Sequence, residues 1–179
     1  MLTIIHGGHR EGLCFNAYKT FAELLDQKGV EYRSFSLRNQ TTMFCCGEQP
    51  CHESAICIHD DVITNEIIPA ISQSDKVIIF TPTYFNMPPA MLKNLFDRCN
   101  ALLVNENRKH PNIAIWVSGQ TEVSSIEDNV KCIETFAEVC ELSFLDEGRI
   151  IRIEDNIENY HLNKEDMDKL TELASKIII

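Results

Sequence analysis

The chain has 179 residues, 44% of them hydrophobic, which suits one domain with a proper core, and its net charge of −11 comes without a basic stripe. Such a balance repels phosphate backbones and anionic membranes, so nucleic acid is excluded as an expected partner. No apolar run approaches the roughly 20 residues of a membrane helix, and the opening MLTIIHGGHREG lacks a basic leader region; a cytoplasmic protein is expected, with its eight cysteines kept reduced.

Taken in chain order, Leu2 to His6 is short, apolar and β-branched and runs into Gly7-Gly8, as a buried strand ending in a turn does. Ala17, Phe21, Leu24 and Leu25 then recur at helical spacing, and Gly29 stops the helix. Glu31 to Leu37 alternates like a half-exposed strand near a sheet edge. After a cysteine-rich loop at about 39–61, Ile63, Ile67, Ile68 and Ile71 mark a helix that Pro69 weakens or turns irregular. KVIIFT, Lys76 to Thr81, predicts a strand buried on both faces. From Met91, the residues Leu92, Leu95, Phe96, Cys99, Leu102 and Leu103 form one helical stripe, with Lys93, Asp97 and Arg98 facing away as a charged surface with a structural ion pair. NIAIWV, Asn112 to Val117, is a further strand, and Ile126, Val130, Ile133, Ala137 and Cys140 mark a further helix. Arg149 to Ile153 is the expected last strand and Lys164 to Ile178 the last helix, with Met167, Leu170, Leu173, Ala174 and Ile177 inward.

Strands alternating with helices predict a parallel sheet covered on both faces by right-handed crossovers. Five strands give one α/β domain over residues 1–179, a three-layer sandwich of flavodoxin-like order 2-1-3-4-5. In such a sheet ligands bind beyond the carboxyl ends of the strands where the order reverses, so the loops after strands 1, 3 and 4 hold the expected site.

The first loop, GGHREGLCFN, leads into a helix amino terminus, where unpaired N–H groups and the dipole favour an anion. Gly7, Gly8 and Gly12 allow close approach, Arg10 adds a charged donor, and Asn16 caps the helix or meets a phosphate oxygen. A plain chain turn is the competing reading, and it extends to His6 and His9, which either meet a phosphate or are ordinary turn residues. In the second loop, TPTYFNMPPAMLKNLFDR, prolines stiffen a turn carrying Tyr84 and Phe85, suited to a planar heterocycle or to lidding the core. Trp116, Cys99, Cys132 and Cys140 read as core.

That second stretch resembles the ring motif of the NAD(P)H-dependent FMN reductase family: Pro82, Tyr84, Leu92, Lys93, Asp97 and Arg98 match in order and spacing. Gly7, Arg10 and Asn16 are similar to the family's Gly-Ser-x-Arg phosphate loop, with Gly8 where that pattern has serine. The resemblance implies FMN, its phosphate at Gly8, His9, Arg10, Gly12, Cys14, Phe15 and Asn16 and its ring against Pro82, Thr83, Tyr84, Phe85, Asn86 and Met87, with Gly119 and Gln120 closing the far side. It also implies hydride transfer from NADH or NADPH and passage of electrons to a small-molecule or protein acceptor. A homodimer or higher homo-oligomer follows from the same resemblance. The chemistry belongs to the cofactor, so no catalytic acid, base or nucleophile is named. Two alternatives stay open: an electron carrier without nicotinamide activity, and a metal-linked sensor or interaction module that has lost flavin.

Some relatives, the iron–sulfur flavoproteins, carry a Cys-x-x-Cys-x-x-Cys…Cys run after strand 2 and before an Asp-Asp pair. Cys45, Cys51 and Cys57 match its first, third and fourth positions and Asp60-Asp61 the pair, while Glu48 stands second and Cys46 is additional. The expectations are a 4Fe-4S cluster on Cys45, Cys46, Cys51 and Cys57, a zinc ion shared with His52 or His59, or thiols that pack the loop or sense redox state.

Overall fold

The computed structural model describes residues 1–48, 50–119, 123–153 and 160–178. Five strands, β1 (Leu2–His6), β2 (Tyr32–Ser36), β3 (Lys76–Pro82), β4 (Asn112–Gly119) and β5 (Ser143–Ile153), form one parallel sheet of order β2-β1-β3-β4-β5. The expected flavodoxin-like fold is therefore present. The helices are α1 (Leu13–Gln27), α2 (Cys51–Ser54), α3 (Ile68–Gln73), α4 (Ala90–Arg98), α5 (Asn100–Leu103), α6 (Val123–Val139) and α7 (Lys164–Ile178).

Alternation along each strand divides the core in two. Ile4, Ile78, Phe80 and Trp116 pack under α1 and α7, whereas Ile5, Ile79, Ile115 and Val117 pack under α3, α4 and α6. The central strands are apolar throughout because helices cover both faces.

Local chemistry accounts for the details. Ile63–Ile67 is a π-helical turn feeding α3, and Pro69 lies in the first turn of α3, where its missing N–H is no loss. Gly7 N–H bonds Phe80 O at 2.8 Å, and a Cβ on Gly7 would stand 2.7 Å from the Leu92 side chain, so glycine alone lets β1 end against α4.

Several expectations need correction. The stripe from Met91 is two helices, broken at Cys99 with ψ near 2°. Leu103 and Met167 are partly exposed at the stripe margins. The last strand begins at Ser143, and its pairing with β4 is irregular between Ile113 and Ile115, where Gly148 approaches Leu145 O. Arg98 does not face away. It is 1% exposed, because partners from a loop 37 residues upstream cover it.

Candidate functional site

The ends of β1, β3 and β4 bring the expected loops side by side. His6 pairs in register with Phe80 of β3 and Ser36 of β2. Thr83 N–H bonds Ser118 O at 2.7 Å, which holds the ring loop to the end of β4. Gly12 is the N-cap of α1 without a side-chain cap, so the first turn presents its N–H groups outward beside Arg10, with Gly8 and Gly12 buried beneath.

The ring loop is a tight hairpin. Tyr84 N–H bonds Met87 O at 2.9 Å and Met87 N–H bonds Tyr84 O at 3.0 Å, and both central residues take positive φ, 49° at Phe85 and 63° at Asn86. Asparagine tolerates that region; phenylalanine does so at a cost. Phe85 is fully exposed. Tyr84 stacks on His9 of the first loop, centroids 6.0 Å apart and planes 12° apart. His9, Thr83, Tyr84, Phe85, Pro88 and Pro89 line a recess of about 530 Å³. A separate apolar groove of about 480 Å³ runs between α4 and α6 around Phe96 and Phe136, away from the strand ends, and shares only Met87 with the loop.

Three contributors carry no local sequence signal. Asn129, buried on α6, donates to Pro82 O at 3.2 Å and Thr83 Oγ1 at 2.9 Å, fixing the root of the ring loop. Tyr160 lies 3.7 Å from a Cβ built on Gly12, carries Arg10 over its ring at 6.0 Å, and accepts the Asn16 amide through its carbonyl at 2.6 Å. Asn16 thus bonds a distant segment rather than capping its own helix. Arg38, after β2, pairs with Glu11 at 3.1 Å and stands 5.8 Å over Phe15. Cys14 is buried under α1 and Phe15 is half-buried; Gly119 packs against Ile126 and Thr83. Gln120 lies outside the described residues.

The cysteine loop is clamped to α4. Asn94 accepts the Cys45 N–H at 3.1 Å and donates to Met43 O at 3.0 Å. Arg98 grips both Asp61 oxygens at 2.6 and 2.7 Å, Thr64 Oγ1 at 2.6 Å, Met43 O at 3.0 Å and Cys57 Sγ at 3.3 Å. Partial burial pushes the Asp61 carboxyl up, but the Arg98 and Met43 donors outweigh it and hold the group below the usual carboxylate range. Cys57 behaves alike: burial raises the thiol, and the His59 N–H with Arg98 and Thr64 brings it below its ordinary value. Lys93 and Asp97 form the expected ion pair, which leaves Arg98 outside it.

Cys45 and Cys46 are exposed while Cys51 and Cys57 are half-buried. Among the described residues no three His, Cys, Asp or Glu side chains stand close enough to hold a metal ion. The expected cluster set is therefore not gathered into a cage. A glycine-floored helix amino terminus and a stacked aromatic hairpin meet beyond the carboxyl ends of β1 and β3, an arrangement that fits a flavin phosphate and ring.

Sheet order and loop placement define a flavodoxin-like α/β protein. The WrbA-like flavodoxin of Agrobacterium tumefaciens superposes with a TM-score of 0.64 at 11% identity, covering 98% of this chain and 92% of that one. Residues 1–122 match the family described as NADPH-dependent FMN reductase, and the chain belongs to that family. It is 36% identical over 99 residues to an iron–sulfur flavoprotein of Methanocaldococcus jannaschii, covering 53% of this chain and 50% of the relative. Another, from Methanosarcina thermophila, is 30% identical over 107 residues, covering 59% and 55%. The chain thus spans about half the length of the curated relatives it matches. No described helix is long and apolar enough to cross a membrane.

Proposed function

We propose that this chain is an FMN-dependent oxidoreductase that draws electrons from NADH or NADPH and passes them to a small-molecule or protein acceptor. One observation carries the reading: the uncapped amino terminus of α1 and the Tyr84–Met87 hairpin converge at the ends of β1 and β3, joined by the His9–Tyr84 stack. FMN, when bound, supplies the hydride and electron chemistry. The residues supply placement. Gly8, Arg10 and the first-turn N–H groups hold the phosphate, Tyr84 and the hairpin backbone flank the ring, and Asn129 keeps that backbone still. Phe85, exposed beside the recess, presents an apolar plate to an incoming nicotinamide or acceptor.

Anaerobic purification with an absorption spectrum, followed by mixing with NADPH and NADH in separate runs, tests the proposal. The expected result is flavin absorbance bleached by one or both nucleotides; a chain that takes up no FMN would overturn it. Bound flavin that neither nucleotide reduces would leave an electron carrier instead.

Two relatives named iron–sulfur flavoproteins favour a cluster as a second reading. The four thiols do not fit that group as placed, with Arg98 on Cys57, so no electron step is routed through it. Iron and acid-labile sulfide analysis of the anaerobic protein decides it. Self-association is proposed on the apolar groove that Met87, Leu103 and Val139 border, with light scattering as the test.

A further inference from the structure

His6 is the last residue of β1 and fully buried, yet its Nε2 has no hydrogen-bond partner. Buried imidazole nitrogens are ordinarily paired, so an orphan at this place calls for a ligand. The other nitrogen is fixed: Nδ1 lies 3.0 Å from Ser36 Oγ, which already accepts the Arg38 N–H at 3.3 Å. With that hydroxyl giving its own hydrogen to Nδ1, the ring hydrogen stands on Nε2. Phe15 and Tyr18 pack against the ring at 5.1 and 5.5 Å and hold it.

Nε2 points beneath the first loop. A Cβ built on Gly8 would stand 2.8 Å from it, closer than real Cβ contacts come, and 3.1 Å from Pro82 Cδ, a tight contact. The imidazole edge therefore fills the space that a residue-8 side chain would enter. A glycine without a side chain and a histidine without a partner are two sides of one arrangement, set directly under an uncapped helix amino terminus.

We infer that His6 Nε2–H is a donor to the phosphate of the bound ligand, standing in for the side chain that residue 8 lacks, and that Gly8 is required because His6 occupies its place. The inference deepens the flavin reading and rests on it. Burial, with the nearby charges of Arg38 and His9, brings the His6 pKa down to about 4, so the donor is a neutral imidazole at pH 7.

The test titrates FMN and riboflavin, which differ by the phosphate alone, into wild type, His6→Leu, His6→Gln, Gly8→Ser and the His6→Ala/Gly8→Ser pair, following flavin fluorescence. Losing one hydrogen bond to a charged group should weaken FMN about tenfold to a hundredfold in His6→Leu, with riboflavin within about twofold. His6→Gln, which keeps an amide donor, should stay near wild type. Gly8→Ser alone should weaken FMN, and the paired variant should recover most of that loss because the serine hydroxyl enters the vacated space. Should His6→Leu not fold, the paired variant against Gly8→Ser gives the same comparison. Equal losses for FMN and riboflavin, or no recovery in the pair, would overturn the role of His6 while leaving the flavin reading intact. A folded wild type that binds neither flavin would overturn the flavin reading itself.

Discussion

Replacing Arg98 by methionine should open the cysteine loop. Its guanidinium, with the side chain wholly buried, makes five contacts of 2.6–3.3 Å to Asp61, Thr64, Met43 and Cys57. Methionine fills much of the volume but leaves Asp61 charged, nine-tenths covered and without its counter-ion, with the N–H groups of Met43, Ile63 and Thr64 still donating to it. Removing one partner of a buried pair costs about 3–5 kcal/mol, and at this chain length that lowers Tm by about 10 °C. Urea unfolding measures the first quantity and calorimetry the second. The pH dependence follows in sign: the folded Asp61 pKa is depressed below its ordinary 3.8, so the pair's contribution is complete above that value and lost as pH falls through the lower folded one. The variant should therefore lose part of its acid limb. Arg98 lowers the Cys57 pKa, so its loss should move the pH profile of Cys57 reactivity with a thiol reagent toward higher pH, read by peptide mapping. A loss under about 1 kcal/mol with unchanged Cys57 reactivity would refute the clamp.

Asn129→Ala removes both hydrogen bonds at the root of the ring loop and should cost about 1–3 kcal/mol in urea unfolding, with a weakened riboflavin affinity by fluorescence that a purely structural residue would leave unchanged. Gly7→Ala drives a Cβ into Leu92 and should destabilise by about 1–3 kcal/mol, read as a lowered Tm. Phe85→Ala should leave stability within about 0.5 kcal/mol while raising the KM for the nicotinamide in steady-state kinetics. The folded pKa of His6 is lowered from 6.5 to about 4, so its contribution is full above pH 6.5 and lost as pH falls toward 4. His6→Gln should flatten stability by about 3 kcal/mol across that window.

What was legible in the sequence follows from the range of each interaction. β1, β3 and β4 are covered on both faces, so their composition alone marks them. The Gly-rich and Tyr-Phe loops were legible because a helix amino terminus and a positive-φ hairpin impose local residue choices. The start of β5 at Ser143 leaves no clear pattern because Asp146 and Gly148 interrupt the run where the strand is irregular. Helical periodicity places Arg98 among charged neighbours, and it is buried by partners far off in sequence, Met43, Cys57, Asp61 and Thr64. Asn129 and Tyr160 reach the site through contacts 46 and 144 residues away in sequence, a distance over which a single sequence gives no pattern.

The two rims of the sheet also constrain how copies of this chain can meet. β2 is only five residues long and exposes Arg33 and Ser34, while β5 kinks out of register with its neighbour. A short charged rim on one side and a distorted one on the other disfavour strand-to-strand joining, the usual seed of fibrous aggregates. Association is thereby steered to helical surfaces, so crowding this protein should yield discrete particles and no thioflavin-positive material.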